Sequence, residues 1–176
     1  MAELTFKSPG VATREIDLSG PTSIAPQGTP AGIIATANIG ANVKDIDVLA
    51  YKDGKAIAIQ VKAYKTGSLR TEATTYLNID YDEDTETQTI LGKNKNIDRK
   101  LIWVIVKLGA FIGDDRFYIC KKGKIQDLVY NEHKKFLKKH NGRRPRNPKS
   151  FDCSVEFKYL SDSLNDWSVI ENQLVS

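Results

Sequence analysis

Residues 47–63 read DVLAYKDGKAIAIQVKA. Asp53-Gly54 sits between two short apolar segments, and Asp-Gly is a strong two-residue hairpin signal because both turn positions require positive φ. The turn predicts strands over 45–51 and 55–63. With Lys52 set against Lys55, stepping outward brings Asp47 opposite Gln60 and Asp45 opposite Lys62. Side chains alternate along a strand. Ala56, Ala58, Gln60 and Lys62 therefore share one face, and Ile57, Ile59 and Val61 the other. The apolar face is core. The opposite face gathers Asp45, Asp47, Gln60 and Lys62 above two small alanines, which suits a surface with something lying over it.

The same reading extends along the chain. LIWVIVKL, residues 101–108, is a continuous β-branched run of strand length and predicts a central strand buried on both faces. RFYIC, 116–120, predicts a further strand closed by a KKGK turn. Apolar residues at helical spacing predict a helix over 125–140 and another over 162–174. Ile33 to Ala37 predicts a short strand able to join the hairpin, and 154–159 an edge strand. The polar stretch 64–100 predicts a helix around Glu72 with acidic turns. Strands mixed with helices give a mixed α/β class.

The chain has 176 residues and a net charge of +4. That is enough for one domain with an appendage. Charge is unevenly placed: between Lys121 and Lys149 stand eleven Lys or Arg against Asp127 and Glu132 alone. Such a block suits an anionic partner. No apolar run is long enough for a membrane helix and no secretory leader is evident, so no membrane partner and a cytoplasmic setting are expected. Cys120 and Cys153 are far apart, without metal-ligand spacing, and read as buried thiols of a reducing compartment.

On a solvated hairpin, Asp45 opposite Lys62 is a cross-strand ion pair and nothing more. The other reading is chemical. Asp47 and the Gln60 amide are oxygen donors suited to a hard divalent cation. A lysine beside such a cation can orient a water or help deprotonate it, and the cation lowers that water's pKa.

Asp47, then Gln60-Val61-Lys62 across a hairpin, resembles the Asp…(Glu/Gln)-x-Lys pattern of the PD-(D/E)xK nucleases, the restriction-endonuclease-like superfamily. The order of the following segments, through YNEHKKFLKK and LNDWSVI, is similar to a bacterial and phage branch of it. The resemblance spans about residues 44–174, within a unit taken as 41–176. It implies a mixed α/β fold with a restriction-endonuclease-like central sheet flanked by helices. It also implies Mg²⁺, with Mn²⁺ as a substitute, held by Asp47 and Gln60, and Lys62 as the catalytic lysine. The implied substrate is double-stranded DNA, and a homodimer would let both strands be cut. The family's upstream helix with its GxxGE glutamate has no counterpart here. Glu15 is the nearest substitute, and Asp45 is an accessory carboxylate.

Residues 1–40 differ in kind, with few charges and many Gly, Pro, Ser and Thr. MAELTFKSPGVATREIDLSGPT and PAGIIATANIG resemble the start of a contractile phage tail sheath protein. This extended arm implies either a sheath exon relic joined to a mobile-element (homing) nuclease, or an arm that docks a domain on a sheath assembly. The first places the chain in the host cytoplasm, the second in the virion tail. A noncatalytic DNA-binding remnant and a tail-associated structural protein are the alternatives to an enzyme.

Lys134, Lys135, Lys138 and Lys139 fall on one helix, and Arg143, Arg144 and Arg146 on the loop after it. They read either as a solvated face or as phosphate contacts, which position a duplex without reading its sequence. His133 and His140 read as helix-surface or capping residues, and Trp103 and Trp167 as core.

Overall fold

The computed structural model describes residues 3–5, 15–17, 34–37, 46–65, 67–111 and 113–175. Along the chain run β1 (Glu3–Thr5), β2 (Glu15–Asp17), β3 (Ile34–Ala37), β4 (Val48–Lys52), β5 (Lys55–Tyr64) and β6 (Ser68–Glu72). A 3-10 turn, Ala73–Thr75, leads to β7 (Leu77–Asp82) and β8 (Thr87–Lys93). Then come β9 (Ile102–Lys107), β10 (Arg116–Lys121), α1 (Lys122–Lys139) and β11 (Asp152–Glu156), a 3-10 helix Phe157–Ser163, and α2 (Ser168–Val175). The class is mixed α/β.

The main sheet has five strands in the order β10-β9-β5-β4-β3. All its pairings are antiparallel except β5 with β9. The hairpin register is the one expected: Lys52 faces Lys55 and Val48 faces Ile59. Asp53 has φ +50° and Gly54 φ +85°, the left-handed pair that a two-residue turn needs. β3 lies antiparallel on β4, so the change in composition near residue 40 does not mark the edge of the sheet.

Alternation divides the core in two. Ala50, Ile59, Ile102, Val104 and Ile119 pack with Ile170 and Leu174 of α2 on one side. Trp103, Ile105, Tyr118 and Cys120 pack with Ile125 and Val129 of α1 on the other. β9, central as its sequence demands, is buried along its first four residues. The second side continues into the β6–β11 pair, which brings residues 68–72 against 152–156.

Five local expectations are corrected. Glu72 ends a strand rather than centring a helix, because β6 gains a ladder from β11, some 84 residues away. KKGK is not a turn but the entry of α1. Gly123 N–H donates to the Arg99 carbonyl at 3.0 Å, and a Cβ at 123 would meet that oxygen at 3.0 Å. His133 is interior, at 1% exposure, because it falls on the buried stripe of α1 with Val129 and Leu137. The strand expected over 154–159 runs Asp152–Glu156 before a 3-10 helix, and the last α-helix begins only at Ser168. Among the described residues no helix is long and apolar enough to cross a membrane.

Candidate functional site

β4 and β5 part company at Asp47. Asp47 N–H donates to the Ile59 carbonyl at 3.0 Å. Beyond that point the Asp47 side chain takes over the ladder: Val61 N–H donates to Asp47 Oδ2 at 2.7 Å. A carboxylate thus replaces the backbone acceptor that β4 no longer offers, a bulge-like ending of the kind found at functional edges. A strand residue turns its N–H and C=O to the same edge. The Val61 carbonyl is therefore directed to the edge where Asp47 stands.

Gln60 and Lys62 sit on the side of the sheet that carries α1. In register, Gln60 lies beside Trp103, and Lys62 beside Ile105. Gln60 is 7% exposed and Lys62 is half-buried. Among the described residues Lys62 makes no ion pair. Asp45, expected opposite it, lies outside the described residues. Glu15 is in β2, which pairs with β1 rather than with the main sheet. The Asp47 carboxylate is therefore placed at the Val61 backbone, between Gln60 and Lys62, although the expected cross-strand pair with Gln60 does not form; the accessory carboxylates are not shown to join them.

On β9 and β10 this side of the sheet is closed by α1 and the β6–β11 pair. On β4 it is open. Leu49 and Tyr51 are 38% and 47% exposed, and Ala56 is exposed too. The alanines were expected under a cover; Ala58 touches the core, but Ala56 does not. The site is an open shelf next to a wall. Two cavities lie elsewhere. One, about 680 Å³, is flanked by Lys100, Lys121 and Asp166, and the other, about 410 Å³, by Arg70, His133 and Arg144.

The donors fit a magnesium-type ion in kind. Asp47 and Gln60 offer oxygens, and Mg²⁺ is commonly held by only one or two carboxylates, with water and substrate phosphate completing its shell. Among the described residues no group of three or more His, Cys, Asp or Glu forms a metal cluster. Any such ion would depend on the substrate for part of its ligand set.

The basic residues divide. Lys134, Lys135, Lys138 and Lys139 are all exposed on α1, off its buried stripe. Lys134 lies over the Tyr130 ring at 5.5 Å. Lys138 and Lys139 occupy the last turn, where cations also favour the helix dipole. Arg143 pairs with Glu86. Arg144 donates to the Asp152 carbonyl and stands 4.8 Å from the Phe136 ring centre, a structural role. Arg146 is exposed.

Two buried polar groups escaped sequence reasoning. Gln126 Nε2 donates to the Tyr76 and Asn94 carbonyls at 2.9 and 2.8 Å. Gln88 Nε2 donates to the Pro148 and Ser150 carbonyls at 2.7 and 2.9 Å, which fixes its amide orientation. Its Oε1 must then accept from His133 Nε2–H, 3.1 Å away. Burial, helped by the nearby Arg144 charge, pushes the His133 pKa down to about 4. The imidazole is neutral and structural. The only available signal was position: each residue falls on the buried stripe of its own element. No protein-family profile matches the chain, and no curated protein or solved structure matches it either.

Proposed function

We propose that the chain is a Mg²⁺-dependent DNA phosphodiesterase, an endonuclease of restriction-endonuclease-like design. The observation that carries this is the Asp47 carboxylate held on the Val61 N–H, between Gln60 and Lys62, where the β4–β5 strands separate and the sheet is open. A central sheet with α1 on one side and α2 on the other supports the same reading. Bound metal would supply a low-pKa water and charge stabilisation at a phosphoryl oxygen. Asp47 and Gln60 are the residues that would hold it, with the Val61 carbonyl at the same edge. Lys62, its stem half-buried against β5 and β9, positions the attacking water and takes or returns its proton. Lys135, Lys138, Lys139 and Arg146 hold the phosphate backbone through charge alone.

The test is incubation with supercoiled and linear DNA in Mg²⁺, in Mn²⁺ and in EDTA. Cleavage is expected with either metal and not in EDTA. Lys62→Ala and Asp47→Ala should each lower the rate by at least about 100-fold. Cleavage that survives both substitutions, or that never occurs with folded protein, defeats the proposal.

The single carboxylate among the gathered residues favours a second reading, a noncatalytic DNA-binding remnant. Salt-dependent binding without cleavage would mark it. The sheath-like residues 1–40 are read as an exon relic beside a homing nuclease in the host cytoplasm. A downstream sheath exon in the flanking DNA supports that origin. A standalone gene beside complete sheath, tube and baseplate genes points instead to a tail-associated protein.

A further inference from the structure

We propose that the open shelf on β4 is a stacking platform for an unpaired nucleobase, so that the strand held at Asp47 and Lys62 is single-stranded or locally unpaired. The inference rests on the nuclease reading and narrows its substrate.

Leu49 and Tyr51 alternate along β4 and share the side of the sheet that carries Gln60 and Lys62, and Asp47 stands at the end of the strand on the Val61 N–H. Tyr51 is 47% exposed, whereas Ala50, on the opposite side, is 1% exposed. Directly across from Tyr51 stands Ala56, and across from Leu49 stands Ala58. Paired side chains sit about 5 Å apart, so the methyl group at 56 leaves the β5 flank of the ring uncovered, while on the other flank Ile34 of β3 is in register with Tyr51. The result is an exposed apolar strip whose aromatic group lies about 13 Å from Asp47 at about 3.3 Å per residue.

Charge at the other end of the strip selects the occupant. Lys62 is on the same side, and Lys107 follows it one row further, opposite Tyr64. Lys107 Nζ stands 5.5 Å from the Phe157 ring centre, which places it on that side of the sheet too. Cations at one end and an exposed ring at the other match a chain of phosphates with bases between them. A duplex cannot use the ring, because its bases are stacked on one another inside the helix. An unpaired base presents a free π-face, and stacking on an aromatic side chain is sequence-tolerant.

The experiment measures binding in EDTA, so that no cleavage intervenes. The probes are a single-stranded 12-mer carrying 2-aminopurine and the matching duplex, read by anisotropy and by 2-aminopurine quenching. Wild-type protein is expected to bind the single strand and quench its fluorescence. Tyr51→Ala should weaken single-strand binding about tenfold, abolish the quenching and leave duplex binding within about twofold. Tyr51→Phe should keep both signals, since it keeps the ring. Failure of wild-type protein to bind the single strand, unchanged binding by Tyr51→Ala, or an equal loss on both probes overturns the platform. Binding and quenching without cleavage in Mg²⁺ would remove the nuclease reading and leave the platform. Cleavage that ignores Tyr51 would do the reverse.

Discussion

Gln126→Leu is the sharpest test of how the fold is held. Gln126 is fully buried where α1 crosses the start of β7 and the end of β8. Its amide donates to the Tyr76 and Asn94 carbonyls, and its oxygen accepts from Arg99. Leucine has nearly the same size, so cavity effects are small and the loss is polar. All three hydrogen bonds disappear; the two donated to carbonyls cost about 1 kcal/mol each, and the one from half-exposed Arg99 costs little. The Tyr76 carbonyl keeps the Asn94 N–H at 2.9 Å. The Asn94 carbonyl loses its donor, adding about 1–2 kcal/mol for a stripped, part-buried acceptor. Arg99 keeps Asp127 at 3.0 Å. Added apolar burial returns about 1 kcal/mol. The expected loss is about 3 kcal/mol. Urea unfolding followed by far-UV circular dichroism should show the midpoint falling by about 1–1.5 M with an unchanged slope. Gln126→Glu, which keeps the Arg99 interaction but cannot donate to the carbonyls, should also destabilise. A Gln126→Leu protein within about 1 kcal/mol of wild type would refute the assignment of Gln126 as the pin between α1 and the β7–β8 hairpin.

Other expectations follow from the same geometry. His133 is held neutral with its pKa near 4, below its ordinary value near 6.5. The unfolded chain therefore takes up a proton that the folded one refuses, and stability should fall by up to about 3 kcal/mol as pH drops from about 6.5 to 4. Unfolding free energies across that window should lose most of this slope in His133→Gln. Burial raises the Cys120 thiol to about 12 and the Cys153 thiol to about 11. At pH 8 both should react with a thiol reagent far more slowly than free cysteine, and normally only once the protein is unfolded. Gly123→Ala should destabilise α1's entry by about 1–3 kcal/mol, because the new methyl group meets the Arg99 carbonyl; thermal unfolding reads this directly. Replacing Lys135, Lys138 or Lys139 by Gln should weaken duplex binding regardless of sequence. Each replacement should also reduce the slope of log K against log salt by about 1, one phosphate fewer being neutralised.

The β4–β5 hairpin was legible because its determinants are local. Asp53-Gly54 sets the turn, and period-2 alternation sets which residues share a side. The register from Lys52–Lys55 to Val48–Ile59 follows from those two facts; that Asp47 then leaves the ladder and accepts from the Val61 N–H does not. β9 was legible for a similar reason, since an uninterrupted β-branched run has no side to give to water. Residues 64–100 were not. Ser68–Glu72 becomes a strand only because residues 152–156 arrive beside it, and a pairing closed over that many residues leaves no trace in local spacing. Gln88, Gln126 and His133 look like surface residues until distant carbonyls and a distant amide satisfy them. The shelf at Leu49 and Tyr51 depends on where α1 and the β6–β11 pair stop covering the sheet. Sequence by itself determined the hairpin, its two sides and the placing of Gln60 and Lys62 on one of them. Tertiary structure alone decided which polar groups are buried and which part of the sheet stays open, because both depend on partners that the chain brings together only by folding.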